Sequence, residues 1–332
     1  MIKGLIPLLN RIRRRRILVI GDVMLDHYQW GDVTRISPEA PVPVVQVARE
    51  TDTIGGAANV AGNIAALGAA VEIVGAVGRD PDGDKLRARF REVGIAFDDR
   101  LLLEAGGGRT ITKTRVIVRN QQLCRLDFED PPAAYRPGVF GGAGFYRLLE
   151  AKIAASDGII LSDYAKGVLN TASIARITGL ARRHRKFVAL DPKPSGGSRF
   201  SDIDLLTPNR KEALELSGLP SGAEQGADLA KICAAIWKTY RPRNLVITLG
   251  GDGMLVSSKG SVLRLIPTAA RQVFDVSGAG DTVIAALTLA LTSGASLEKS
   301  AHFANAAAGV VVGKLGTATV TPRELADYLA HG

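Results

Sequence analysis

The sequence predicts an α/β protein built on a doubly wound, mainly parallel sheet, with a small second β-sheet as a lid. Three observations lead there. From residue 158 onward, apolar strand-like runs alternate with helical ones, the rhythm of βαβ units. Two blocks rich in β-formers, about 23–54 and 110–129, break that rhythm. They could pair over the carboxyl ends of the parallel strands, where open α/β sheets bind ligands. Hydrophobic residues make up 46% of the 332, enough for one large core. No linker or repeat divides the chain, so residues 1–332 are read as a single domain.

Along the chain, the apolar run 17–20 is a buried strand ending at Gly21-Asp22. Small apolar residues at helical spacing mark 55–67, a strand follows at 71–77, and 82–93 is an amphipathic helix. Strands are predicted at 158–161, 187–190, 204–207 and 245–248, with helices near 171–184, 211–217 and 226–240 between them. Residues 254–258 and 261–266 read as a hairpin around Lys259-Gly260. A short β-like run, 271–274, leads into a small-residue loop, and an Ala-rich helix covers 283–291.

Composition narrows the function. The net charge of +9 suits doubly anionic substrates or nucleic acid. The densest basic cluster, Arg11 and 13–16, has no interleaved aromatics, as a single-strand binder would want. It is read as a solvated helix face, and no nucleic-acid partner is expected. No apolar run reaches membrane-spanning length, and none resembles a secretory signal. Cys124 and Cys233 are far apart, and His27, His184, His302 and His331 show no metal spacing. A reduced, cytoplasmic setting is expected.

The most informative motif is Asp275-Val276-Ser277-Gly278-Ala279-Gly280-Asp281-Thr282. A small-residue loop feeding a helix N-terminus presents free backbone N–H groups to an anion. Asp281 stands beside whatever the loop binds. Phosphoryl transfer to a hydroxyl needs an anion cradle and an adjacent carboxylate, so Gly278, Ala279, Gly280 and Asp281 are the candidate catalytic group. Nucleotide motifs of the P-loop and dinucleotide kinds are absent. Gly55, Gly56 and Asn59 open a helix and suit a sugar, as does Asp22 after the first strand. Lys193, at another strand end, supplies positive charge. Thr248, Gly250 and Gly253 follow a strand in a loop that backbone could approach closely. Asn209 and Glu212 could orient magnesium-bound water, although the same pair matches a capping box.

Together these residues resemble the PfkB, or ribokinase-like, sugar kinases. The matches are the Gly55–Asn59 and Asp275–Asp281 signatures and an Asn-x-x-Glu element at 209–212. The likeness implies a three-layer ribokinase-like fold, a β lid that pairs two subunits, and ATP with Mg2+ as cofactors. It also admits a monovalent cation, K+. Asn305 would join Gly250 and Gly253 at the nucleotide. Runs at 35–44, 120–122, 125–129, 162–167 and 305–316 are similar to one branch, the kinases of D-glycero-β-D-manno-heptose 7-phosphate. That likeness implies transfer to O1 of this sugar phosphate, in ADP-heptose synthesis for lipopolysaccharide. Arg125 and Lys193, with Lys166 or Arg115, would hold the 7-phosphate. A stand-alone kinase is expected, since the chain ends about where the kinase half of fused relatives would. The rival expectations are a kinase for ribose, fructose or fructose 1-phosphate, a sugar-binding protein without catalysis, and a nucleic-acid-binding regulator.

Overall fold

The computed structural model describes residues 2–104, 108–119, 121–136, 142–194, 197, 199–220, 228–314 and 316–331. After α1 (Ile6–Ile12) comes β1 (Arg16–Gly21), and then a long excursion, β2 (Val23–Ile36) and β3 (Pro43–Gly56). The chain returns through α2 (Ala57–Ala66), β4 (Ala70–Val77), α3 (Pro81–Glu92) and β5 (Ala96–Glu104). A second excursion forms β6 (Thr112–Val118) and β7 (Gln121–Phe128). Next are α4 (Gly142–Ala155), β8 (Gly158–Ser162), α5 (Thr171–Arg183), β9 (Phe187–Asp191), β10 (Leu205–Leu206), α6 (Arg210–Ser217) and α7 (Leu229–Tyr240). The last part holds β11 (Asn244–Thr248), β12 (Met254–Ser258), β13 (Ser261–Ile266), α8 (Ala279–Thr292), α9 (Leu297–Val311) and α10 (Pro322–Ala330).

Nine strands form one sheet in the order β13-β12-β11-β10-β9-β8-β1-β4-β5, parallel except for the hairpin at its edge. Its strands read as continuous apolar runs because both faces are covered. In β1, Ile17 and Val19 join the core under α2, α8 and α9, while Leu18 and Ile20 join the one under α4, α5 and α7. This is the doubly wound, three-layer ribokinase-like arrangement expected. Strands β4 and β5 lie on one side of β1 and β8 to β11 on the other. The order therefore reverses between β1 and β8, and ligands bind at the carboxyl end of such a switch point.

The two excursions pair as a separate four-stranded sheet, β3-β2-β6-β7, with β2 and β6 parallel and both outer pairs antiparallel. β2 leaves the carboxyl end of β1 directly and β3 runs straight into α2, so this sheet stands over the switch point. All eight residues of β7 are exposed.

The predicted strand at 271–274 does not form. Those residues are loop, with Val273 and Phe274 more than half exposed and Phe274 N–H donating to the Val312 carbonyl. Among the described residues no strand pairs with them, and propensity alone makes no ladder. The expected strand 204–207 shortens to two residues. The predicted helix start at 226, like Leu315 of the 305–316 run, lies outside the described residues. β5, α4, α9 and α10 are elements that the sequence reading left unassigned.

Candidate active site

The two signature motifs, far apart in sequence, meet at the switch point. Asn59, near the start of α2, donates through Nδ2 to Asp281 Oδ2 at 2.7 Å. One turn further on, Thr282 Oγ1 donates to Asn63 Oδ1 at 2.8 Å. Gly278 makes this closeness possible. Its φ is +77°, and a Cβ there would lie 2.6 Å from Asn59 Nδ2. Asp281 takes a second hydrogen bond, 2.7 Å, from the Tyr164 hydroxyl to Oδ1. Tyr164 lies just past β8, across the switch point, and the sequence reading passed over it. Its signal was there in the Ser-Asp-Tyr run that ends an apolar strand.

Burial pushes the Asp281 carboxyl up to about 6, against the pull of the Tyr164 and Asn59 hydrogen bonds and with a small push from Asp26. A carboxylate poised near 6 can accept a proton at neutral pH better than an ordinary aspartate.

The loop before α8 is held from within. Asp275 Oδ1 accepts from Ser277 N–H at 2.9 Å, and Oδ2 from Gly316 N–H at 3.0 Å. Ala279 N–H donates to the Val276 carbonyl. This corrects the expectation for Ala279, whose N–H closes the turn and is not offered to a ligand. Gly278 and Gly280 keep N–H groups without a partner among the described residues. A Cβ on Gly280 would meet nothing within 4 Å, so the space before it is open.

Several other expected ligands hold protein instead. Asp22 is fully buried. Its carboxylate accepts backbone N–H bonds from Tyr164 (2.9 Å), Lys166 (3.0 Å) and Val168 (3.1 Å). It shapes the loop that delivers Tyr164 and offers no face to a sugar. Gly55 and Gly56 pack against the protein too. Cβ atoms there would lie 2.5 Å from Asp26 Oδ2 and 2.4 Å from the Asp22 carbonyl oxygen. Asn305 ties α9 to the strand exit, donating to the Pro267 carbonyl at 2.7 Å and accepting from Ala269 N–H. Gly253 is steric, since a Cβ would sit 2.1 Å from the Ile266 carbonyl oxygen. Gly250 (φ +62°) has open space instead. It is near Asn209, which bridges Thr248 across the ends of β10 and β11.

The capping box at 209–212 is real. Asn209 Oδ1 accepts from Glu212 N–H (2.9 Å), and Glu212 Oε2 accepts from Asn209 N–H (3.0 Å). Glu212 Oε1 also takes Lys193 Nζ at 2.9 Å. Lys193 is therefore bound into the Glu212 side of the cleft. Arg125 makes a two-pronged pair with Asp127 on exposed β7, so these two expected phosphate ligands sit in separate ion pairs. Lys166 pairs with Glu129 at 2.7 Å. Arg115 pairs with Asp26 at 2.6 Å, both largely buried between the small sheet and the loop at 275–281.

Carboxyls crowd the strand ends. Burial pushes Asp163 up to about 7. Burial and the charges of Asp281 and Glu212 raise Asp191 well above its ordinary value. Lys193 offsets part of this charge, and a divalent cation would offset more. Among the described residues no group of three or more acidic, His or Cys side chains is arranged to hold a metal directly.

A buried carboxylate with free backbone N–H groups beside it, at the switch point of a doubly wound sheet, is an arrangement suited to phosphoryl transfer to a hydroxyl. The chain belongs to the pfkB family of carbohydrate kinases, whose family model matches residues 14–324. The family assignment makes it a carbohydrate kinase. It is 41% identical over 318 residues to the bifunctional protein HldE of Sulfurimonas denitrificans, covering 95% of this chain and 64% of that protein. The HldE of Yersinia enterocolitica is 44% identical over 96% of this chain and 64% of its own length. The chain thus spans under two thirds of these relatives. The structure of Arabidopsis thaliana ribokinase complexed with ribose and ATP superposes with a TM-score of 0.72 at 20% identity, over 95% of this chain and 99% of that one. Among the described residues no helix is long and apolar enough to cross a membrane.

Proposed function

We propose that this kinase transfers the γ-phosphoryl group of MgATP to O1 of D-glycero-β-D-manno-heptose 7-phosphate, a step toward ADP-heptose. The observation that carries the chemistry is Asp281, fixed from two sides by Asn59 and Tyr164 beside the free N–H groups of Gly278 and Gly280. The choice of sugar is supported by the runs at 35–44, 125–129, 162–167 and 305–316.

In this reading O1 attacks the γ-phosphorus, the bond to the β-phosphate oxygen breaks, and the O1 proton passes to Asp281. The transition state is loose, so Asp281 acts as much by orienting the hydroxyl as by taking its proton. Gly278 and Gly280 meet the charge that develops on the transferring group. Mg2+ would neutralise the phosphates, held through water near Asp191, Asn209 and Glu212. The space at Gly250 and Thr248 would take the nucleotide. Arg125 would hold the 7-phosphate, with Lys166 and Arg115 nearby. Its pair with Asp127 is half exposed and therefore weak, so a phosphate can displace it.

Ile36, Val47, Leu126 and Phe128 stand exposed on the four-stranded sheet. Leu126 and Phe128 lie on β7, an edge strand exposed along its whole length, and we read this edge as the seat of a second subunit. The two cysteines are free, in keeping with a cytoplasmic enzyme.

The test is ATP consumption by purified protein with Mg2+, comparing heptose 7-phosphate with ribose, fructose and fructose 1-phosphate. Turnover confined to the heptose is expected. Faster turnover of another sugar overturns the substrate and leaves the sugar kinase standing.

A further inference from the structure

Opposite the catalytic end, where β9, β10 and β11 begin, lies a cavity of about 570 Å³. Five cationic side chains line it: Arg182, Arg185, Lys186, Arg241 and Arg243. Only two carboxylates oppose them. Asp202 is paired with Arg182, and Asp204 turns inward to accept the Val188 N–H. The side chains of Arg185 and Lys186 have no hydrogen-bond or ion-pair partner among the described residues, and Arg243 acts on Asp204 through its charge alone. Two helices, α5 and α7, end at this cavity, and their carbonyl ends favour cations. That accounts for about one basic residue each, not for five around one hollow.

The backbone here is unusual as well. Six described non-glycine residues have left-handed φ, and three of them line this cavity: Arg185 (+53°), Asp202 (+62°) and Arg241 (+51°). Helices commonly end on glycine in this conformation, and α6 does so at Gly218. At α5 and α7 an arginine takes that strained place. Strain of this kind persists where a side chain has a task.

We propose that this cavity is an anion site, separate from the catalytic cleft, that binds a diphosphate group. The volume is that of a metabolite pocket, and arginine forks match phosphate oxygens bidentately. Free pyrophosphate and the diphosphate of a nucleotide sugar carry the same group. The site lies at the starts of the strands whose far ends carry Asp191, Asn209 and Thr248.

Calorimetric titration of pyrophosphate tests this, using wild type, the variant R185G/R243A, and the control R11A/R14A, which removes equal charge elsewhere. The cavity variant should bind about tenfold more weakly or worse, and the control should stay within about twofold of wild type. Equal binding by wild type and the cavity variant, or equal weakening in the control, overturns the site. A parallel titration with UDP-glucose separates the sources, since tighter binding of the ester points to a nucleotide sugar and tighter binding of the free ion to pyrophosphate. R185G alone should also raise Tm by roughly a degree or more, by releasing strain. Hydrogen exchange on the wild-type protein gives a check independent of any variant. Pyrophosphate should protect amides at 185–188 and 241–244, and an unchanged pattern there refutes the site.

Discussion

Replacing Tyr164 with Phe isolates one hydrogen bond at the reacting carboxylate. The hydroxyl donates to Asp281 Oδ1 at 2.7 Å and stabilises the charged form, while burial holds the carboxyl near 6. A hydrogen bond to a charged group contributes about 1.5–3 kcal/mol. At 1.36 kcal/mol per pKa unit, losing it should raise Asp281 by about one to two units. Below its pKa, Asp281 is protonated and cannot accept the sugar proton. The acidic limb of the kcat/KM–pH profile, which reports the free enzyme, should therefore move from about 6 in wild type to about 7–8 in Tyr164→Phe. At pH 6.5 the variant should lose about tenfold in kcat/KM for the sugar, and near pH 9 it should recover most of it. The assay is steady-state ATP consumption at saturating ATP and limiting sugar across pH 5–9. A limb that stays in place, or a loss equal at every pH, would show that Tyr164 does not tune Asp281.

Four further outcomes follow from the same geometry. Gly278→Ala puts a Cβ against Asn59 in a left-handed backbone; it should lower stability by about 1–3 kcal/mol in chemical denaturation and lower kcat with it. Gly280→Ala enters open space, so Tm should hold while the KM for ATP rises. Arg115→Ala leaves the buried Asp26 carboxylate alone and should cost about 3–5 kcal/mol, whereas Arg115→Ala with Asp26→Asn should recover much of the loss. Folding raises the carboxyls of Asp163 to about 7 and Asp281 to about 6 from 3.8. The folded protein then binds protons that the unfolded chain has released, so these groups favour folding at pH 4 and lose that contribution as pH rises toward 7. Calorimetry should show a higher Tm at pH 5 than at pH 8, with the gap narrowed by MgADP.

The fold was legible because apolar runs and helical spacing are local signals. Ile17 to Ile20, a short apolar run ending at Gly21-Asp22, read as a buried strand, and the β-rich blocks at 23–54 and 110–129 pointed to a second sheet by interrupting the alternation. The run at 271–274 misled because β-propensity says nothing about whether a partner strand is near. At the site, the loop feeding a helix at Asp281 was legible from small residues standing before an apolar run. Asp22 was misread because its partners are backbone N–H groups more than a hundred residues away, which no spacing rule reveals. Asn59 was assigned to a sugar for the same reason, its contact with Asp281 being tertiary. Tyr164 escaped notice because a lone tyrosine after a strand is ordinary until the fold brings a carboxylate to its hydroxyl.

The proposed role of Asp281 is to orient and deprotonate the sugar hydroxyl. It can be measured as single-turnover phosphoryl transfer by Asp281→Asn, with the sugar that wild type uses and with ATP and sugar binding followed alongside. Binding should stay within a few-fold of wild type while the transfer rate falls by about 10²–10⁴-fold. Transfer at a near-normal rate would rule out this role for Asp281.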